Sequence, residues 1–189
     1  MMFIYLVHTP DLYGIPVKEG PQAVSTKTQH QLYGTVIAKV IVPEKPYRVT
    51  VHPQNFIKLR ERLGIEKLLI IDRVKGEKTG PVIQISDHRN LTGWNPLSGR
   101  TPLKELPQFP DMSTVYKCET LGIQQSTVST VGPERFSSAE SEAVSEFVAP
   151  IALCAAYVGI EVCALGWNQK KDRDGENLAI AVKKVIGAY

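Results

Sequence analysis

The sequence predicts an α/β fold, a three-layer domain built on a mixed central sheet. Two features point there: continuous apolar runs such as Lys67 to Ile71, and segments such as Phe56, Leu59 and Leu63 whose apolar residues recur at helical spacing. The chain has 189 residues and is 43% hydrophobic, which suffices for one domain (1–189) with a real core.

In order, Phe3 to Val7 is a short apolar run suited to a buried strand, and His8-Thr-Pro-Asp ends it as a turn. Residues 11–30 carry Gly14, Pro16, Gly20 and Pro21 and read as loop with weak pairing at best. Leu32 to Val42 is rich in β-branched residues and predicts a strand, interrupted near Pro43 and Pro46. Pro53 suits the first turn of a helix that Gly64 stops. Lys67 to Ile71 and Val82 to Ile85 are strands, and from Ser86 to about Met112 no periodicity survives. A connection that long is usually functional or disordered; Leu91, Trp94, Leu97 and Phe109 argue against disorder. Thr127 to Val131 is a further strand, followed by a Gly132-Pro133 turn. Ser138 caps a predicted helix carrying Val144, Phe147, Val148 and Ile151, which Pro150 should kink or divide. Glu161 to Leu165 reads as a strand, Asn168 to Gly175 as a polar loop, and Leu178, Val182, Val185 and Ile186 as an amphipathic helix.

Composition narrows the function classes. The formal charge is +3, from 22 basic and 19 acidic residues that are interspersed, so no nucleic-acid footprint or membrane-binding basic patch is expected. The start of the chain lacks the features of a signal peptide, and no apolar run reaches membrane-spanning length, so a cytoplasmic protein is the expectation. Three cysteines, Cys118, Cys154 and Cys163, argue by odd number and wide spacing against a disulfide scaffold and a zinc knuckle. There is no GxGxxG and no phosphate loop ending in Gly-Lys-Ser/Thr, so neither cofactor nor metal is expected.

In open α/β sheets ligands sit beyond the carboxyl ends of strands, which directs attention to the loops after Ile71, Ile85, Val131 and Leu165. Asp87, His88 and Asn90 place a carboxylate, an imidazole and an amide within four positions. Either His88 transfers protons, or Asp87, Asn90 and Thr92 brace the loop through local backbone bonds. Asp72-Arg73-Val74-Lys75 follows a buried strand; Arg73 and Lys75 either hold an anion such as phosphate or form a solvated strand exit. Arg135, Ser137 and Ser138 follow Gly132-Pro133, where backbone amides and hydroxyls either receive an anion or cap a helix. Trp167 and Asn168 offer a ring for stacking and an amide for a heterocycle edge, or else a buried indole and an Asn turn.

The stretch Ser86-Asp-His-Arg-Asn-Leu-Thr-Gly-Trp-Asn-Pro-Leu-Ser-Gly99 and the later Phe109-Pro-Asp-Met-Ser-Thr-Val-Tyr116 resemble the trimeric purine nucleoside phosphorylases. That family carries Asp-His-x-Asn-Leu-Thr-Gly-x-Asn-Pro-Leu-x-Gly and then Phe-Pro-x-Met-Ser. A weaker resemblance runs over Val49 to Gly76 and Val131 to about Lys171. It implies a partly barrel-like sheet, a purine nucleoside or nucleotide as ligand, phosphate as co-substrate, and a homo-oligomer, trimeric or hexameric. It further implies that Phe109 covers a neighbour's ribose site, that Ser145 lies near a phosphate-binding position, and that Asn168 reads the base. The chain also departs from the family: Asp72-Arg73-Val74-Lys75 stands where members have Asn-Ala-Ala-Gly, and the usual phosphate loop and purine-reading glutamate have no counterpart. Phosphate contacts would then come from Arg73, Lys75 or Arg135. A nucleoside hydrolase or transferase, and a non-catalytic nucleoside-binding or interaction protein, are the competing readings.

Overall fold

The computed structural model describes residues 2–6, 13–17, 29–32, 35–39, 47–48, 51–92, 95–97, 112–131, 143–173 and 175–187. Five strands precede the first helix: β1 (Met2–Leu6), β2 (Tyr13–Val17), β3 (Gln29–Leu32), β4 (Thr35–Lys39) and β5 (Tyr47–Arg48). They are followed by α1 (Pro53–Leu63), β6 (Lys67–Arg73), β7 (Val82–Asn90), β8 (Gln125–Thr130) and β9 (Val144–Ser145). The last elements are α2 (Val148–Tyr157), β10 (Glu161–Trp167) and α3 (Glu176–Gly187).

Eight strands form one mixed, curled sheet in the order β5-β2-β1-β6-β10-β7-β8-β9, while β3 and β4 make a separate hairpin. The core strands β1, β6 and β10 are parallel, and β7 runs against β10. Alternation along the strands sorts side chains to two faces. Leu68, Ile70, Val162 and Ala164 pack with Phe56 of α1 and with Val148 and Ile151 of α2. Leu69, Ile71, Cys163 and Leu165 pack with Leu178, Val182 and Val185 of α3. These last three, at helical spacing and fully buried, each contribute roughly 1.5–3 kcal/mol of burial. The three-layer reading therefore holds.

The curl has a specific cause. Past the end of β6, Lys75 exchanges both backbone hydrogen bonds with Val144 of β9, at 3.0 and 2.9 Å. The far edge of the sheet thus returns to the exit of β6, and the strand ends of β6 and β8 come together around the start of α2.

A second feature is a split in the sheet. β10 and β7 pair only where Leu165 to Trp167 meet Gln84 to Val82, and then diverge. Residues 115–121 fill the gap. Tyr116 bridges Val162, with the Lys117 N–H bonded to the Val162 carbonyl at 2.8 Å. From the other lip, the Gln84 amide donates to the Glu119 carbonyl (2.9 Å) and accepts from the Leu121 N–H (3.1 Å). This segment ties through the sheet, because Val115 and Tyr116 pack on the α1/α2 side and Leu121 and Cys118 on the α3 side.

Several sequence expectations change. The strand expected to end at Ile85 continues to Asn90, so the start of the polar motif is strand rather than loop. Val144 and Ser145 belong to β9, and α2 begins only at Val148; the predicted cap Ser138 lies outside the described residues. Pro150 is the third residue of α2 and causes no break, because N–H groups in a first turn have no helical partner to lose. Tyr13–Val17 is a paired strand within the stretch read as loop, while the strand expected over Leu32 to Val42 is present as β4, paired with β3 in a hairpin. Helix α1 matches expectation, with Pro53 first and Gly64 at φ 62° closing it. The cysteine reading is corrected: Cys118 and Cys163 are disulfide-bonded across 45 residues, because the gap-filling segment lies beside β10, and Cys154 is a buried free thiol. No helix among the described residues is long and apolar enough to cross a membrane.

At the crossing of β10 with β7 the sheet requires a glycine. A Cβ at Gly166 would lie 2.6 Å from Val74 Cγ1 and 2.8 Å from Ile83 Cγ1. Gly166→Ala is expected to lower unfolding free energy by about 1–3 kcal/mol through overpacking, read as a lower urea midpoint with unchanged slope; a midpoint equal to the wild type contradicts this packing.

Candidate functional site

The split in the sheet opens into a cleft of about 510 Å³ lined by Ser86, Asp87, His88, Met112–Tyr116 and Leu153. That volume is in the range of small-molecule sites. One wall comes from the end of β7, the other from the segment entering the gap, and α2 contributes Leu153.

A β-bulge sets which side chains reach this cleft. Between Ile85 and Asp87 the register with β8 shifts, so Ser86 is an extra residue without its own partner. One added residue reverses the alternation that follows. His88, rather than Asp87, therefore falls opposite Val128, on the face that packs against α1 and α2.

There His88 meets Tyr116. The phenol oxygen lies 3.0 Å from His88 Nδ1, and the rings meet edge to face at 5.6 Å between centroids. Burial lowers the His88 pKa from its ordinary value, partly opposed by the Asp87 charge, and so favours the neutral ring. Burial raises the Tyr116 pKa, and the negative charges of Asp87 and Asp72 add to that rise, so the phenol keeps its proton. The Asp87 carboxylate accepts the His88 backbone N–H at 2.7 Å. The arrangement is a neutral donor–acceptor pair at a cleft wall, able to hydrogen-bond a ligand or relay a proton.

Asp72 lies at the meeting point of β6 and α2. It is buried, and its Oδ2 accepts the Phe147 N–H at 3.0 Å where α2 begins. Desolvation pushes its pKa up to about 7, against the lowering effect of its backbone hydrogen bonds. Beside it Thr130 and Ser145, both fully buried, share a hydroxyl contact of 3.2 Å, and Thr130 Oγ1 accepts the Ala149 N–H. These groups satisfy the first orphan donors of α2.

The other candidate residues divide clearly. Arg73 reaches Glu146 at 3.9 Å, and the Lys75 backbone is committed to Val144. Trp167 is 2% exposed on the α3 side, with its indole N–H donating to Asp172 at 3.1 Å. Asn168 is buried and donates to Thr79 Oγ1 at 2.8 Å, bracing the loop after β6. Asn90 Oδ1 accepts from the Thr92 N–H and hydroxyl, a local turn of the bracing kind. Phe109, Arg135, Ser137 and Trp94 lie outside the described residues. Structure therefore brings His88 and Asp72 to one side of the sheet and directs Trp167 to the other. It adds Tyr116, which sequence spacing could not pair with a histidine 28 positions earlier. Among the described residues no group of three or more His, Cys, Asp and Glu could hold a metal ion.

Fold and cleft together define a three-layer α/β protein with a cleft at a break in its sheet. The chain is 28% identical over 134 residues to purine nucleoside phosphorylase 1 of Bacillus subtilis (strain 168), a match covering 58% of this chain and 49% of that protein. The chain thus spans about half the length of this relative. No protein-family profile matches it. The relationship is nucleoside phosphorylase-like.

The Asp72 carboxyl has a calculable consequence. Between pH 3.8 and about 7 the folded state keeps a proton on Asp72 that the unfolded chain releases, so this group makes the fold less stable as pH rises through that window. Asp72→Asn keeps an oxygen for the Phe147 N–H and cannot ionise. Its stability at pH 8 should exceed the wild type by on the order of 1–4 kcal/mol, the gap closing toward pH 4. Thermal melts across that range check this; a variant less stable than the wild type at pH 8 contradicts it.

Proposed function

We propose that the chain is a purine nucleoside phosphorylase-like protein, a single domain over 1–189 that binds a purine nucleoside or nucleotide in the cleft between β7 and residues 112–116. One observation carries this reading. The two sequence blocks that resemble the phosphorylases, separated by residues 100–108, supply the opposite walls of one cleft through Ser86–His88 and Met112–Tyr116. The similarity to a purine nucleoside phosphorylase supports the same ligand class. On this reading His88 is the acid–base or hydrogen-bonding group. A homo-oligomer in the cytoplasm, with Phe109 covering a neighbour's site, completes the proposal. The disulfide bears on the compartment, since such a bond persists in oxidising surroundings and opens to thiols in the cytosol.

Phosphorolysis needs positive groups or N–H donors around the phosphate in the transition state. Here Arg73 faces Glu146, the Phe147 N–H just before α2 is taken by Asp72, and the Ala149 N–H in its first turn is taken by Thr130. Those commitments favour binding without phosphorolysis, with Arg135, Ser137 and Lys75 as the remaining phosphate candidates.

Calorimetric titration with inosine and guanosine, beside an assay for free base with and without phosphate, tests the proposal. Binding in the micromolar to millimolar range that His88→Ala weakens about tenfold, one hydrogen bond to the ligand, is the expected outcome. Base release that requires phosphate identifies a phosphorylase, and release without it a hydrolase. Absence of binding by any purine nucleoside contradicts the proposal.

A further inference from the structure

The neutral pair in the cleft has two possible proton arrangements, and the surroundings choose between them. In one, the Tyr116 O–H donates to His88 Nδ1 and the ring carries its proton on Nε2. In the other, Nδ1–H donates to the Tyr116 oxygen, and the phenol proton must find a different acceptor. Among the described residues the Tyr116 hydroxyl has no hydrogen-bond partner but His88. The second arrangement therefore leaves the phenol O–H without a protein acceptor among the described residues, whereas the first satisfies both groups with one bond. The first leaves no such debt, and Nε2 is then the ring's remaining polar atom on a side chain that lines the cleft.

We propose that Tyr116 is a positioning residue: its O–H donates to Nδ1 of His88 and fixes the Nε2–H tautomer, so that the cleft offers its ligand a neutral imidazole N–H. The site then selects an atom with a free lone pair, such as a hydroxyl or carbonyl oxygen or a ring nitrogen, and gains nothing from a cationic group. Coupled to the nucleoside reading above, the donor serves a ribose hydroxyl or an acceptor on the purine edge. The charged neighbours agree with a neutral ring. Asp87 on β7 bonds backbone N–H, and Asp72 on β6 acts on the phenol. Helix α2 brings a thiol, Cys154, and a phenol, Tyr157, and no carboxylate, lysine or arginine.

The two arrangements predict opposite signs for one measurement. A donor to Nδ1 stabilises only the neutral ring, so removing it favours the cation; an acceptor from Nδ1–H stabilises the cation more, so removing it does the reverse. Nitrogen-15 NMR of the full chain labelled at histidine reads the tautomer, with His88→Gln assigning one of the four histidines. The expected wild-type spectrum shows a protonated Nε2 and an unprotonated Nδ1 at neutral pH. In Tyr116→Phe the ring should become a mixture of tautomers, and its titration midpoint should rise by about half a pH unit. A protonated Nδ1 in the wild type, or a lower midpoint in the variant, overturns the proposal, and the wild-type spectrum alone decides if the variant fails to fold. Inosine should shift the Nε2–H signal. If inosine moves other cleft signals but not this one, the donor role is overturned. If it moves none, the nucleoside reading fails while the tautomer, read without ligand, stands.

Discussion

The cleft depends on the gap between β7 and β10 and on the segment that fills it, tied to β10 from the Lys117 N–H to the Val162 carbonyl. Strands β7 and β10 pair over three residues and then part, which leaves unpaired backbone edges in the middle of the molecule. Buried edges of that kind must be met. Residues 115–121 meet them on the β10 side through the backbone and on the β7 side through both ends of the Gln84 amide. Once this segment is in place, Tyr116 has no choice but to face the end of β7.

The second determinant is the parity change at Ser86. Were Ser86 paired in a regular strand, Asp87 would fall opposite Val128 and point to the α2 side, and His88 away from it. The bulge exchanges them, so the imidazole enters the low-dielectric side while the carboxylate turns to its own backbone. At the opposite end of the same face, Lys75 and Val144 close the curl and deliver Asp72 to the N–H of Phe147, the residue that caps α2. The residues read as an anion site are thereby engaged in holding the helix start. The two ends of the face have separate tasks: one binds helix to sheet, the other borders open volume.

Much of the layer pattern was legible in the sequence because it rests on local rules. Leu68 and Ile70 against Leu69 and Ile71 already alternate between two cores, and the 3.6-residue spacing of α1 and α3 needs no tertiary information. The extension of β7 to Asn90 was not legible, because Ser86 to Asn90 are polar and gain their strand geometry from pairing with β8. The start of α2 was misplaced since Val144 fits a helical spacing and a strand equally well, and the Lys75 bridge decides the matter. The motif supplies part of the cleft wall, and His88 stands out in it by its chemistry. Its partner and the Cys118–Cys163 bond were not legible, as both arise from contacts across the gap rather than from spacing. Trp167 and Asn168 illustrate the converse: residue types suited to reading a purine are here spent on Asp172 and Thr79.

The central claim is that residues 115–121 lie against β10 in the gap, and the cysteines test it directly. Air-oxidised protein, denatured without reductant and then alkylated, should take up label at Cys154 alone, and at all three cysteines after reduction. Peptide mapping should recover a species joining the peptides of Cys118 and Cys163. A bond involving Cys154, or three free thiols in the oxidised protein, would place the segment elsewhere and remove the wall that carries Tyr116.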